Sequence, residues 1–230
     1  MQQILFATLM ILLTIISYFL MTKLYIRFNF SFLLPVLTST ILIILILVAF
    51  QIPYESYMQG GQWINSLLGP AVVALAYPLY KQREFLRKHA VVILASVTFA
   101  GTVGMLSVAV LAKVTSLGHS LSLSILPKSV TTPVAIAITD GIGGNASMAV
   151  VAVMIAGIFG SILAPILFKM AKVHSPVGRG IALGSASHAL GTAKAAEYGE
   201  LAFSMGSVSM SLNALLSSIL APLIVWILFN

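Results

Sequence analysis

The amino-acid sequence predicts an all-α polytopic membrane protein, and three observations support this fold class. Of the 230 residues, 60% are hydrophobic and only 7% are charged, which excludes an ordinary soluble domain. Several apolar runs reach the roughly 20 residues that a helix needs to cross a hydrocarbon core. The sequence lacks the alternating ten-residue pattern that is typical of an outer-membrane barrel. We therefore expect about six transmembrane helices.

The apolar runs define six candidate spans. They cover residues 4–22, 31–51, 63–80, 90–112, 145–169 and 203–228. No basic region precedes the first run and no small-residue cleavage site follows it, so we interpret it as a retained helix rather than a signal peptide. The third run contains Gly69-Pro70 and Pro78, which predict an irregular helix.

Two further segments, 119–143 and 178–201, are about 25 residues long and moderately apolar. Proline and hydroxyl residues interrupt the first near its middle, and glycine and hydroxyl residues interrupt the second. Each segment is predicted to be either one broken crossing or a re-entrant hairpin.

Loop charges favour a hairpin for the first of these segments, because short cytoplasmic loops collect Lys and Arg. The loop before span 90–112 and the loop after span 145–169 are both basic, so we expect both to face the cytoplasm. Segment 119–143 must then enter and leave on the outer side. The residues that mark these two loops are Lys81, Arg83, Arg87 and Lys88, and Lys169, Lys172 and Arg179.

A short internal repeat connects the two broken segments. Ser161-Ile162-Leu163-Ala164-Pro165 recurs as Ser218-Ile219-Leu220-Ala221-Pro222, each time late in a span that follows a broken segment. If each broken segment is a hairpin, the two units must be inverted in the membrane, which is a common plan of secondary transporters. We therefore predict a scaffold of four helices at 1–118 and a transport-like core at 119–230.

The first broken segment has the features of an anion site. Thr131-Thr132-Pro133 resembles a helix start, with a hydroxyl at the N-cap and proline at the first helical position. The N–H groups of Val134 and Ala135 would then point into the break, where a helix N-terminus attracts carboxylate or phosphate. Lys128 and Ser129 precede this start.

The second broken segment has a similar composition. Gly191-Thr192 is predicted to break the apolar run, and Thr192 is a candidate cap. Ser185, Ser187 and His188 come just before it. His188 can donate to an anion or change charge near neutral pH, and we favour such a role over a purely structural hydrogen bond to a neighbouring helix. We expect the two segments to meet around a small anionic solute.

The charged residues of these segments allow two interpretations each. Lys128 either contacts substrate or extends to the membrane surface. Asp140 is either a buried proton carrier or part of an Asp-Gly turn in water, in which case we expect Asn145 to cap the next span. Glu197 is either a coupling residue, like Asp140 and His188, or the partner of Lys194 in a helical ion pair.

Other kinds of chemistry have no signal in the sequence. It contains no cysteine and no zinc-protease, phosphate-loop or dinucleotide-binding motif, so we expect neither an enzyme nor a cofactor or metal. The net charge of +7 comes from loops between apolar runs, which indicates membrane topology rather than nucleic-acid binding.

Four stretches together resemble the LrgB/CidB family of bacterial membrane proteins over essentially the whole chain. Thr131-Thr132, Gly143-Gly144, His188 and Gly191 match the recurring pattern of that family, whereas Lys128 and Asp140 are replaced in some of its members. The four matching stretches are 68–80, 125–133, 142–144 and 179–192.

The resemblance implies two functions. The family is described as holin-like or antiholin-like, modulating murein hydrolases and cell lysis with a small LrgA/CidA-type partner. Its relatives include plastid glycolate/glycerate and bacterial pyruvate carriers. We therefore expect either an alternating-access transporter of small monocarboxylates or a lytic regulator, forming homo-oligomers in the bacterial cytoplasmic membrane. The paired helix breaks favour transport, because such breaks are costly in lipid.

Overall fold

Helices are the regular secondary structure of the residues that the structure describes. The computed structural model describes residues 2–28, 33, 35–74 and 76–229, and these ranges contain no strand. The helices are α1 (Gln2–Phe28), α2 (Pro35–Ala49), α3 (Tyr54–Asn65), α4 (Leu68–Ala74), α5 (Ala76–Lys81), α6 (Arg83–Val114), α7 (His119–Ile125), α8 (Thr132–Gly141), α9 (Ala146–Met170), α10 (Pro176–Ala195) and α11 (Glu200–Leu228), with a 3-10 turn at Ala196–Tyr198 between the last two. The predicted all-α class is confirmed.

Four of these helices are long and apolar enough to cross a bilayer. They are α1, α6, α9 and α11, each of at least 25 residues. Large apolar side chains such as Phe99, Phe159 and Trp226 remain exposed on their outer faces. In water such faces would be unfavourable, whereas lipid solvates them. The protein is therefore a multi-pass membrane protein.

The other two predicted spans differ in the structure. Residues 31, 32 and 34 of run 31–51 lie outside the described residues, and the rest of the run contains α2, a helix of 15 residues. Run 63–80 is not one helix: it contains the end of α3, a turn at 66–67, and the short helices α4 and α5. The prolines at 70 and 78 each remove a backbone donor, which is the irregularity that the sequence indicated.

The chain divides into two compact units, Met1–Ala71 and Val72–Asn230. In the first unit, α3 packs closely on α1 at Gly60, where a Cβ atom would lie 2.8 Å from the Cβ of Met10. The hydroxyl groups of Tyr57 and Thr14 share a hydrogen bond of 2.9 Å across the same contact.

The second unit contains α6 together with the whole segment after it. Ile93 and Val97 of α6 pack with Ile181 of α10 and with Met205 of α11. The boundary between the two compact units thus lies near residue 71. The sequence predicted a later boundary, at residue 118, between a scaffold and a transport-like core. That functional division stays a prediction.

The contacts within the second unit define its two ends. At one end, Phe85 and Leu86 of α6 pack in the same cluster as Val177. The two basic loops therefore lie together, as the charge pattern requires. At the other end, the ring of His119 lies 5.9 Å from that of Phe229, and Lys113 Nζ lies 5.8 Å from the Phe229 ring. We call these the basic end and the opposite end.

Candidate functional site: two hairpin tips that meet in the helix bundle

The segment that follows α6 is a hairpin that starts and finishes at the opposite end. Helix α7 runs into the bundle, residues 126–131 form a non-helical tip, and α8 returns. The segment closes on itself where the Asn145 backbone N–H, just after α8, donates to Ser124 Oγ, near the end of α7, over 2.7 Å. Gly144 fits this contact, since a Cβ atom there would lie 3.0 Å from the Ser124 nitrogen. We call this segment, 119–143, hairpin 1.

The residues between the end of α8 and the start of α9 explain where hairpin 1 stops. Gly143 has a φ of +82°, which a glycine adopts readily after a helix. Asn145 then caps α9, because its side chain accepts from the Met148 N–H over 3.1 Å. The sequence predicted this cap correctly.

Helix α10 is also a hairpin, and it enters from the basic end. Its helical geometry fails at Ser187 and at His188, where φ is +44°. The two halves then run side by side, so that a Cβ atom on Gly191 would lie 2.7 Å from the Ser187 Cβ. At the end of hairpin 2 away from the break, the Arg179 guanidinium lies 4.8 Å from the Tyr198 ring. We call residues 176–198 hairpin 2.

Two glycines of α9 receive the tip of hairpin 2. A Cβ atom on Gly157 would lie 2.6 Å from His188 Nε2, and one on Gly160 would overlap the Ser187 hydroxyl. The close approach lets His188 Nε2 reach the Val153 carbonyl over 3.0 Å. A positive φ at a non-glycine residue costs energy, and this contact offsets part of that cost.

The two tips meet at one buried amide of α11. Asn213 Nδ2 donates to the Ser185 carbonyl over 3.0 Å and to the Ser129 carbonyl over 3.3 Å. Asn213 is only 1% exposed and lies near the middle of α11. Gly101 of α6 provides the space, because a Cβ atom there would lie 2.6 Å from Asn213 Oδ1.

A cavity of about 530 Å³ lies beside this junction, between α6 and α9. Its polar lining comes from both hairpins, namely Lys128 and Ser129 of hairpin 1 and Ser185 and Ser187 of hairpin 2. Lys128 Nζ donates to Ser129 Oγ over 3.2 Å. The hydroxyls of Ser185 and Ser187 are buried and have no protein partner. The remaining walls are apolar, with Val108, Ile125 and Phe159 among them.

The other residues that the sequence suggested lie near the cavity but do not line it. Thr131, Thr132 and Val134 belong to the start of α8, and His188, Gly191 and Thr192 belong to hairpin 2. The Thr131 hydroxyl is buried without a partner, like those of Ser185 and Ser187. The Thr192 hydroxyl contacts the Met210 sulfur at 3.8 Å.

The structure corrects two details of the predicted helix breaks. Thr131 rather than Thr132 is the N-cap residue of α8, and the Ala135 N–H bonds the Thr131 carbonyl instead of pointing into the break. Gly191-Thr192 is not the second break, which falls at Ser187-His188. Gly191 is required where the two halves of hairpin 2 touch. Close packing therefore explains why a glycine stands at this position of the family pattern.

Two of the three candidate coupling residues lie away from the tips. Asp140 is exposed near the end of hairpin 1. Glu197 bonds Lys194 Nζ over 2.5 Å in the i,i+3 ion pair that was the simpler interpretation. His188 alone lies at a tip, where it is 3% exposed.

The main residue that sequence reasoning missed is Asn213. It belongs to a polar row on α11 with Ser209 and Ser217, at four-residue spacing, and all three are at most 1% exposed. An amide and hydroxyls in the middle of a membrane helix are costly in lipid, which is the signal that could have identified them. In the described part of the chain, no group of three His, Asp or Glu side chains could hold a metal ion.

Comparison with known proteins assigns this architecture to a family. The model of the LrgB-like family matches residues 14–227. The chain belongs to the LrgB-like family. The resemblance found in its motifs is thereby confirmed.

Full-length relatives support the same assignment. The chain is 59% identical over 227 residues to the uncharacterized protein YxaC of Bacillus subtilis, covering 99% of each chain. It is 36% identical over 223 residues to the holin-like protein CidB of Staphylococcus aureus, covering 97% of each. It is 35% identical over 229 residues to the holin-like protein CidB of Staphylococcus epidermidis, covering 100% of each. No solved structure matches the chain.

Proposed function

We propose that this LrgB-like protein transports small monocarboxylates of the pyruvate, glycolate or glycerate type by alternating access. One observation carries the proposal: two hairpin tips meet at a cavity that holds one lysine and two buried hydroxyls without partners. Unpartnered buried hydroxyls are unfavourable, and a carboxylate can accept hydrogen bonds from both.

The charges around the cavity favour an anion as the ligand. Lys128 supplies a positive charge that is partly desolvated. Every acidic side chain of the protein is exposed, so no carboxylate competes with the ligand for Lys128 inside the bundle. In our proposal the ligand's carboxylate accepts from Lys128 Nζ, Ser185 Oγ and Ser187 Oγ, and its short carbon chain contacts the apolar walls.

The entry of the hairpins from opposite ends favours transport over simple binding. We propose that hairpin 1 with α9 and hairpin 2 with α11 form an inverted repeat. The repeated sequence places Pro165 late in α9 and Pro222 late in α11, as such a repeat requires. Movement of one hairpin from the junction would open the cavity to one side only. His188 is the candidate for coupling, because it lies buried at a tip and imidazole is the side chain whose unperturbed charge change falls near neutral pH.

A holin-like role is the second candidate, and the relatives' names favour it. Proteins of the same length and family are named holin-like protein CidB. In this alternative the protein modulates murein hydrolase activity and lysis. The exposed apolar faces of α6 and α9 would then contact a small LrgA/CidA-type partner or further copies of the chain in the bacterial cytoplasmic membrane.

Uptake into proteoliposomes tests the transport proposal. The purified protein, with and without the small partner, is expected to take up radiolabelled pyruvate or glycolate in a saturable manner that other carboxylates compete. The double substitution Ser185→Ala, Ser187→Ala should remove most of this uptake, because it deletes the two free hydroxyls.

Ser107→Ala is the matched control, since the Ser107 hydroxyl bonds only its own helix at the Gly104 carbonyl. Absence of saturable uptake under both conditions, for both carboxylates, would refute the transport proposal. Normal uptake by the double variant would place the carboxylate elsewhere.

A further inference from the structure

The amide of Asn213 lies behind the cavity rather than in it, and it contacts both hairpins at once. Its two donated hydrogen bonds reach the backbone of Ser129 and Ser185, whose residues also line the cavity. Other hydrogen bonds hold each hairpin separately, since His188 of hairpin 2 reaches the Val153 carbonyl of α9 and the Asn145 N–H closes hairpin 1 at Ser124. A side chain that bonds both tips can therefore fix their relative position.

The surroundings of Asn213 are built for this role. The side chain is 1% exposed, and both hydrogen bonds of its Nδ2 go to backbone carbonyls of the two hairpins. Gly101 leaves room for the amide oxygen, which is buried without a hydrogen-bond partner, while the amide nitrogen faces the two tips. Both carbonyls come from backbone near a helix break, where the regular helical donors are missing.

We infer that Asn213 is a positioning residue that couples the two hairpin tips and thereby holds the carboxylate site together. The inference rests on the proposed function for its ligand. Because both bonds must be present to keep Ser129 and Ser185 in register, loss of the amide lets each tip move separately. The site then becomes wider and more variable, and a carboxylate binds less tightly.

Distances between spin labels test the coupling without any ligand. The chain has no native cysteine, so a pair of labels at Ile125→Cys and Ala186→Cys reports only on the two hairpins. With Asn213 present we expect a narrow distance distribution by double electron–electron resonance. Asn213→Leu, of similar size but without donors, should broaden it, and Asn213→Asp should act in the same way.

Two controls separate this effect from a general loss of folding. Labels at His174→Cys and Ala196→Cys, both at the basic end, should keep a narrow distribution in every variant. Gly101→Ala should broaden the Ile125–Ala186 distribution by pushing on Asn213, whereas Gly141→Ala, which meets no atom within 4 Å, should not.

Protection from thiol labelling measures the site itself. Pyruvate should protect the cysteine of Ala186→Cys from the thiol reagent. In the Asn213→Leu background, the pyruvate concentration that gives half of this protection should rise about tenfold, as expected for the loss of two membrane hydrogen bonds. A narrow, unchanged Ile125–Ala186 distance in Asn213→Leu would overturn the coupling inference, whatever pyruvate does. Absence of protection in the parent with native Asn213 would count against the carboxylate site, and the label distances would still decide the coupling.

Discussion

The fit of His188 against Gly157 gives a prediction that can be worked out from the structure. In Gly157→Ala, the added Cβ atom would lie 2.6 Å from His188 Nε2 and 2.7 Å from Cε1. The imidazole cannot keep its position, and its hydrogen bond to the Val153 carbonyl, 3.0 Å long, is lost. The ring has little freedom to move away, because His188 is 3% exposed.

The expected cost follows from two terms. Overpacking a core with one methyl group costs about 1 to 3 kcal/mol. A hydrogen bond between membrane helices contributes about 0.6 kcal/mol, and up to about 1.7. Together they weaken the docking of hairpin 2 on α9 by about 2 to 4 kcal/mol, which shifts the ratio of docked to undocked tip by a factor of about 30 or more.

Hydrogen–deuterium exchange of peptides covering residues 183–192 measures this shift directly. We expect faster exchange there in Gly157→Ala than in the parent, and unchanged exchange in the peptides of α1 and α3. Gly141→Ala is the control, because a Cβ atom at Gly141 meets no atom within 4 Å. Equal protection of 183–192 in Gly157→Ala and in the parent would refute the argument that Gly157 is needed for tip docking.

Two further predictions concern the hairpin ends. Cysteines that replace Ser120 and Asp140 should react with an impermeant thiol reagent from one side of the membrane. Cysteines that replace His174 and Ala196 should react from the other side. Labelling of the first two cysteines from different sides would mean that hairpin 1 crosses the membrane. Asn145→Ala should lower the midpoint of thermal unfolding by a few degrees, because loss of an N-cap costs about 1 kcal/mol, whereas Asn145→Asp keeps the acceptor and should change little.

The sequence predicted those features that depend on composition and local chemistry. The four long helices follow from apolar length, whereas the membrane sidedness of segment 119–143, inferred from loop charge, stays a prediction. The Asn145 cap follows from residue type alone. The polar residues of both broken segments were identified, and four of them line the cavity.

The remaining features depend on contacts between distant residues. Gly191 was assigned to a break because glycine interrupts a helix, yet it serves the contact between the two halves of hairpin 2. The break at His188 forms because Gly157 and Gly160, some 30 residues earlier, leave space for the tip. A local pattern cannot show that space. Asn213 was missed for a similar reason, since its role appears only when both tips reach it.

The arrangement of polar groups also bears on the choice between the two proposed functions. A lytic pore needs helices that associate through their outer faces, and for this the exposed apolar surfaces of α6 and α9 suffice. It has no need for two hairpin tips, a partly desolvated lysine and unpartnered hydroxyls in the middle of the bundle, each of which costs stability. If lysis depends on carboxylate flux, substitutions at Ser185 and Ser187 should alter lysis and uptake together. If lysis depends on association, those substitutions should alter uptake alone, and changes on the outer faces should alter lysis alone.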